Sequence, residues 1–82
     1  MFKSNGKGFS ITFKNGITAS VQFGRGNYCE NRNKDLTNSD IVSCVDAEIM
    51  AWDENNNDIL EPQGWQSPEM IMDILNALKD RH

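Results

Sequence analysis

The residues best equipped for chemistry lie close together, between Gly24 and Arg32, in the run Gly-Arg-Gly-Asn-Tyr-Cys-Glu-Asn-Arg. Two glycines one residue apart let a backbone take positive φ and turn successive N–H groups to one side, a geometry that binds anions. Arg25 and Arg32 would add fixed positive charge and forked donors to that loop. Tyr28 offers a ring for stacking, while Asn27 and Asn31 offer both donors and acceptors. The candidate ligand-binding set is therefore Arg25, Gly26, Asn27, Tyr28, Asn31 and Arg32, and the chemistry it suits is capture of a small anionic ligand. The same residues also suit a wide turn with solvated arginines, because a short Gly-x-Gly outside a strand-to-helix turn is an unspecific signal.

No second constellation competes with it. Nothing in the sequence pairs an acid with a base or a nucleophile with a histidine, so no enzyme activity and no cofactor are expected. Cys29, Cys44 and the lone His82 are not closely spaced, and no metal site is expected from them. Asp53-x-Asn55-x-Asn57 resembles the start of a calcium loop. However, Asp58 stands where an EF-hand needs glycine, and Gly64 stands where it needs glutamate.

The strand that delivers the loop is easy to read. Phe9, Ile11 and Phe13 alternate with Ser10 and Thr12, and Ile17, Ala19, Val21 and Phe23 alternate with Thr18, Ser20 and Gln22. Period two marks strands with one buried and one solvated face. Asn15-Gly16 between them usually signals a two-residue turn. Such a turn would pair Phe13 with Thr18 and set the two apolar rows on opposite faces. A three-residue loop, Lys14-Asn15-Gly16, instead pairs Phe13 with Ile17, Ile11 with Ala19 and Phe9 with Val21, with Gly16 left-handed. The three-residue loop is the expectation.

Outside the hairpin, Met1 to Gly8 either leads into the first strand or frays. Asn33 to Asp40 is a turn-rich connection. Ile41 to Asp53 reads as a long third strand, with Val45, Ala47, Ile49 and Ala51 on one face. Trp52 lies on the other, as a second-layer core residue or an exposed anchor. Asp53 to Asp58 reads as a hairpin loop, and Ile59-Leu60 as a short fourth strand ended by Pro62 and Gly64. Ser67, Pro68 and Glu69 make a helix start, with Trp65 as a staple residue before it. Ile71, Ile74, Leu75 and Leu78 then form an apolar stripe over a helix to about Asp80. The expected fold is α+β: an antiparallel β-meander of three to four strands with one C-terminal helix packed on one face, a single domain over 1–82.

Length and charge bound the rest. Eighty-two residues support one modest core, so a homo-oligomer is expected as reinforcement. No stretch approaches a membrane span or a signal peptide, which implies a cytoplasmic protein with Cys29 and Cys44 as free thiols, a disulfide between them being geometrically possible but disfavoured by that compartment. Residues 1–34 carry six cations against one acid, +5; residues 35–82 carry two against eleven, −9, giving the overall −4. Net acidity argues against an extended nucleic-acid partner but leaves room for a small anion near the hairpin. The acidic half alternatively suits a protein partner with a basic surface.

Several segments together resemble a family of short bacteriophage proteins. They are Phe-x-Ile-Thr-Phe-x-Asn-Gly from Phe9, Ser-Val-Gln-Phe-Gly-x-Gly-Asn-Tyr-Cys-x-Asn from Ser20, Ala-Glu-Ile-x-Ala-Trp-Asp from Ala47 and Gly-Trp-Gln-Ser-Pro-Glu from Gly64. The resemblance spans residues 9–32, 47–53 and 64–69 and carries over no catalytic residue. Through phage context, and not through an aligned motif, it implies a host-takeover or anti-defence factor. One such kind is a sponge that sequesters a cyclic oligonucleotide immune signal without turnover. An inhibitor that binds a host defence or nucleic-acid-binding protein through its acidic surface is the alternative.

Overall fold

A computed structural model describes residues 1–4, 6–34 and 42–81. Five antiparallel strands form one sheet: β1 (Phe2–Ser4), β2 (Gly8–Thr12), β3 (Thr18–Gln22), β4 (Ala47–Trp52) and β5 (Asp58–Gln66). Strand order in the sheet equals chain order, a plain meander. Among the described residues, one 3-10 turn, Glu30–Asn33, lies between β3 and β4, and one helix, α1 (Pro68–Lys79), follows β5.

The β2–β3 hairpin has the three-residue register. Phe9 pairs with Val21 and Ile11 with Ala19, the N–H of Phe13 donates to Ile17 O at 2.9 Å, and Gly16 has φ +86°. Alternation therefore sends Ile17, Ala19 and Val21 into the core with Ala47, Ile49 and Ala51 of β4. The opposite face is a solvated layer of hydroxyls, where Thr12 and Thr18 meet at 2.9 Å across the strands. Trp52 lies on that face, half-buried and opposite Thr18.

Helix α1 covers the apolar face. Ser67 caps it, its hydroxyl accepting the N–H of Met70 at 3.2 Å, with Pro68 at the first turn. Ile71 and Leu78 are buried, and Ile74 and Leu75 pack against the same clusters. Its C-terminal end is held from a distance. The Asn15 amide, at the tip of the hairpin, donates to Leu78 O at 2.9 Å and Arg81 O at 2.8 Å. Free carbonyls at a helix end need such donors, and here the hairpin supplies them.

Three expectations change. The meander has five strands, because the exposed Phe2–Ser4 pairs with Phe9–Ile11 as an added edge. β4 is shorter than expected: Val45 precedes it and is 67% exposed. β5 does not stop at Pro62 or Gly64 but runs through both, with shifts of register opposite Ile49 and Ala51. An edge strand tolerates proline and bulges because one side of its ladder needs no partner. The expected strand start at Ile41, most of the Asn33–Asp40 connection and His82 lie outside the described residues.

Exposed charges follow chain order only in part. Lys3, Lys7 and Lys14 are exposed on the β1–β3 side, and Glu54, Asp58, Glu61, Glu69 and Asp73 are exposed on β5, its hairpin loop and α1. The two halves nevertheless meet, since the Gly24–Arg32 loop bonds Asp46 and Glu48, and Lys14 lines the same surface pocket as Lys79 and Asp80.

Candidate functional site

β3 hands the chain to the Gly24–Arg32 loop, which folds onto the segment entering β4. The loop does gather anions, but they are its own. The N–H of Tyr28 donates to Glu48 Oε2 at 3.3 Å, and the N–H of Glu30 donates to Asp46 Oδ1 at 2.8 Å. Other amides close the loop on itself. Gly24 N–H reaches Asn27 Oδ1 at 3.0 Å, Gly26 N–H reaches Arg32 O at 2.9 Å, and Arg32 N–H reaches Cys29 O at 3.0 Å. Of the paired glycines only Gly26 takes positive φ, +88°, while Gly24 is buried.

The six expected ligand residues divide between framework and surface. Asn31 is 1% exposed, its amide donating to Phe23 O and Ser43 O at 2.8 Å each. A buried amide with both hydrogens on main-chain carbonyls ties two chain segments together and presents nothing to a ligand. Asn27 is turned inward too, its Nδ2 donating to Glu48 Oε1 at 3.3 Å. Arg25, Gly26, Tyr28 and Arg32 are at the surface. The Arg32 guanidinium stacks 4.4 Å from the Tyr28 ring centre, a cation–π contact that holds both side chains in one place. Expecting all six to converge on one ligand is therefore wrong for the two asparagines.

Sequence reasoning missed the residue that completes this surface. Trp65 was expected as a staple against the helix; it is instead 55% exposed, with φ +57°. Positive φ is unusual for so bulky a residue and costs about 1–3 kcal/mol. The main chain locks it there, the N–H of Trp65 donating to Tyr28 O at 2.7 Å. Neighbouring Gly64 packs on Tyr28 so closely that a side chain at 64 would strike Tyr28 Cβ. Tyr28 and Arg32 are thus joined side chain to side chain, and Trp65 is joined to Tyr28 through the main chain. The signal was present in Gly64-Trp65, but nothing local says that Tyr28 lies beside it.

Two further features sit behind the loop. Cys29, Cys44 and Asp46 bring two thiols and a carboxylate within 4.8 Å of one another, although the spacing of the cysteines suggested no such meeting. Both cysteines are free, and burial, with Cys44 and Asp46 nearby, pushes the Cys29 thiol up to about 11. Between α1 and the sheet lies an apolar cleft of about 420 Å³, lined by Phe9, Val21, Phe23, Ala47, Ile71 and Leu75, with Cys44 and Asp46 also on its wall. None of the six expected ligand residues lines it.

No protein-family model, curated protein or solved structure matches the chain. No described helix is long and apolar enough to cross a membrane.

Proposed function

We propose that this chain is a non-catalytic recognition module that docks a protein partner through Tyr28, Arg32 and Trp65. The observation that carries the reading is Trp65, more than half exposed and fixed at φ +57°. Backbone strain on a tryptophan that is more than half exposed brings only partial burial in return within the chain, and burial against a partner supplies the rest. Tryptophan, tyrosine and arginine are also the residue types that dominate binding energy at protein interfaces. Glu61 and Glu69, each within four residues of Trp65 in the chain, are exposed, and acidic side chains suit a basic partner surface.

Nucleotide capture by the same loop has less geometric support. Glu48 and Asp46 already occupy amides that a phosphate would need, and they place negative charge beside it. An anion arriving there would meet the exposed Arg25 and Arg32 but also the charge of those two carboxylates.

One experiment separates the two. Tagged protein is recovered from cells in which the chain is expressed, and native mass spectrometry reports what stays bound. A protein partner retained by wild type and by Lys3→Ala, but lost with Trp65→Ala and Arg32→Ala at unchanged melting temperature, supports docking. Retention of that partner by Trp65→Ala sinks it. A bound nucleotide, with calorimetric heat that disappears in Arg25→Ala and Arg32→Ala, would favour capture of a cyclic or linear nucleotide instead.

A further inference from the structure

We infer that Cys29, Cys44 and Asp46 form a binding site for a thiophilic divalent cation of the zinc class. The three side chains come from two segments, the Gly24–Arg32 loop and the stretch just before β4, and their donor atoms lie within 4.8 Å of one another. Zinc–sulfur bonds near 2.3 Å and zinc–oxygen bonds near 2.1 Å set tetrahedral ligand atoms about 3.3–3.8 Å apart, so small side-chain rotations close the site. Two thiolates with a carboxylate are a donor set that selects such an ion over magnesium or calcium.

The surroundings are arranged to favour it. Asp46 is oriented by the Glu30 N–H at 2.8 Å, the kind of outer hydrogen bond that fixes a ligating carboxylate. The thiols' own hydrogen bonds are long, Cys44 Sγ to Asp46 Oδ1 at 3.6 Å and Cys29 Sγ to Gly24 O at 3.8 Å, with the Asn31 main chain also directed at Cys29. Little is lost when they are replaced. Binding forms two metal–sulfur bonds and one metal–oxygen bond and releases both thiol protons to solvent, leaving a site of net charge −1. Cys44 and Asp46 also line the apolar cleft, so a fourth ligand, water or a small donor molecule, reaches the ion from that side. The ion would clamp the loop that carries Tyr28 and Arg32 to the start of β4.

The test uses the whole chain, reduced and stripped of metal, titrated with cobalt(II) and then zinc(II). The expected result is one cobalt per chain with thiolate-to-metal charge-transfer absorption, its displacement by zinc, and a raised melting temperature. Cys29 is fully buried and its replacement risks the fold, so Cys44→Ser and Asp46→Asn carry the test, with folding checked by circular dichroism. Each should weaken binding at least tenfold, and Cys44→Ser should also reduce the charge-transfer band. The inference is overturned if the wild type shows no such band while both thiols titrate as free. Equal cobalt binding by folded Cys44→Ser overturns it as well. So does a metal-free protein that loses two hydrogens on mild oxidation and has no affinity for cobalt when re-reduced, since the pair would then serve as a disulfide.

Discussion

Two glycine-bearing loops flank strand β3, and they behave differently. Lys14–Gly16 at its start is governed by its neighbours: Gly16 supplies positive φ, and the alternation on both sides decides the register. Gly24–Arg32 at its end is governed by residues far along the chain. Although some of its amides close the loop on itself, those of Tyr28 and Glu30 and the side chains of Asn27 and Asn31 reach Asp46, Glu48 and Ser43, 12 to 21 positions away. Both loops advertise the same ingredients, glycine and asparagine, so composition cannot tell them apart. The distinction is whether the partners of the loop's polar groups are local.

The sharpest way to break that contrast is Asn31→Ala. If Asn31 is framework, the change removes a buried side chain and leaves the part-buried carbonyls of Phe23 and Ser43 without their donor, which should cost roughly 1–3 kcal/mol. Urea unfolding measures it. A cost below half a kcal/mol would return Asn31 to the surface and restore the ligand reading of the loop.

Gly16→Val probes the other loop. A β-branched residue at φ +86° is strained, and its Cβ would also sit 3.2 Å from Glu54 Oε2; the expected loss is roughly 1–3 kcal/mol. Because the loop is locally determined, the penalty should fall on the hairpin, with hydrogen exchange rising first at Phe13 and Ile17. Protection lost equally around Tyr28 would mean that the two loops are not independent.

What the sequence disclosed follows the same division. The hairpin register, the faces of Ile17, Ala19 and Val21, the Ser67 cap and the Ile71–Leu78 stripe rest on neighbours within a few residues, and they were legible. Phe2–Ser4 has no alternation to announce β1, which forms because β2 offers an open edge. β5 passes Pro62 because an edge forgives it, a fact that depends on strand order and not on residues 59–64. The candidate patch was half legible. Tyr28 and Arg32 stood out by type, but Trp65 joins them only through a main-chain bond across the fold, and Cys29 meets Cys44 only because the loop folds back.

Asn15→Ala tests an exception, for Asn15 belongs to the local loop yet acts 63 and 66 residues away on the carbonyls of Leu78 and Arg81. Its side chain also accepts the Ile17 N–H at 3.0 Å. Losing these partly exposed bonds should cost about 1–2 kcal/mol, with fraying at the C-terminal turn of α1. Asn15→Asp keeps the local bond but places negative charge against the negative end of the helix. It should therefore be at least as destabilising; a harmless Asn15→Asp would show that the helix end does not need the amide.

The smallest effect comes from a third loop, Asp53–Asn57, where all the partners are local. Asp53 Oδ1 accepts the N–H groups of Asn55 and Asn57 at 2.9 Å each, and Oδ2 accepts the Asn57 amide at 3.2 Å. The backbone bond from Asn57 leads in holding the Asp53 carboxyl below its ordinary value, helped by the Asn57 side chain and the Asn55 N–H. A carboxyl whose value is depressed on folding stabilises the protein above its unfolded value of about 3.9 and loses that contribution as pH falls through the folded one. Asp53→Ala should accordingly lower the melting temperature slightly at pH 7, and the gap from wild type should close as the pH is taken below about 4. The loop around the carboxyl is exposed, so the shift should be small and should shrink with added salt. A gap that stays constant across the acid range would mean that the loop is held by its main chain alone, and that even the most local of the three loops owes nothing to its charge.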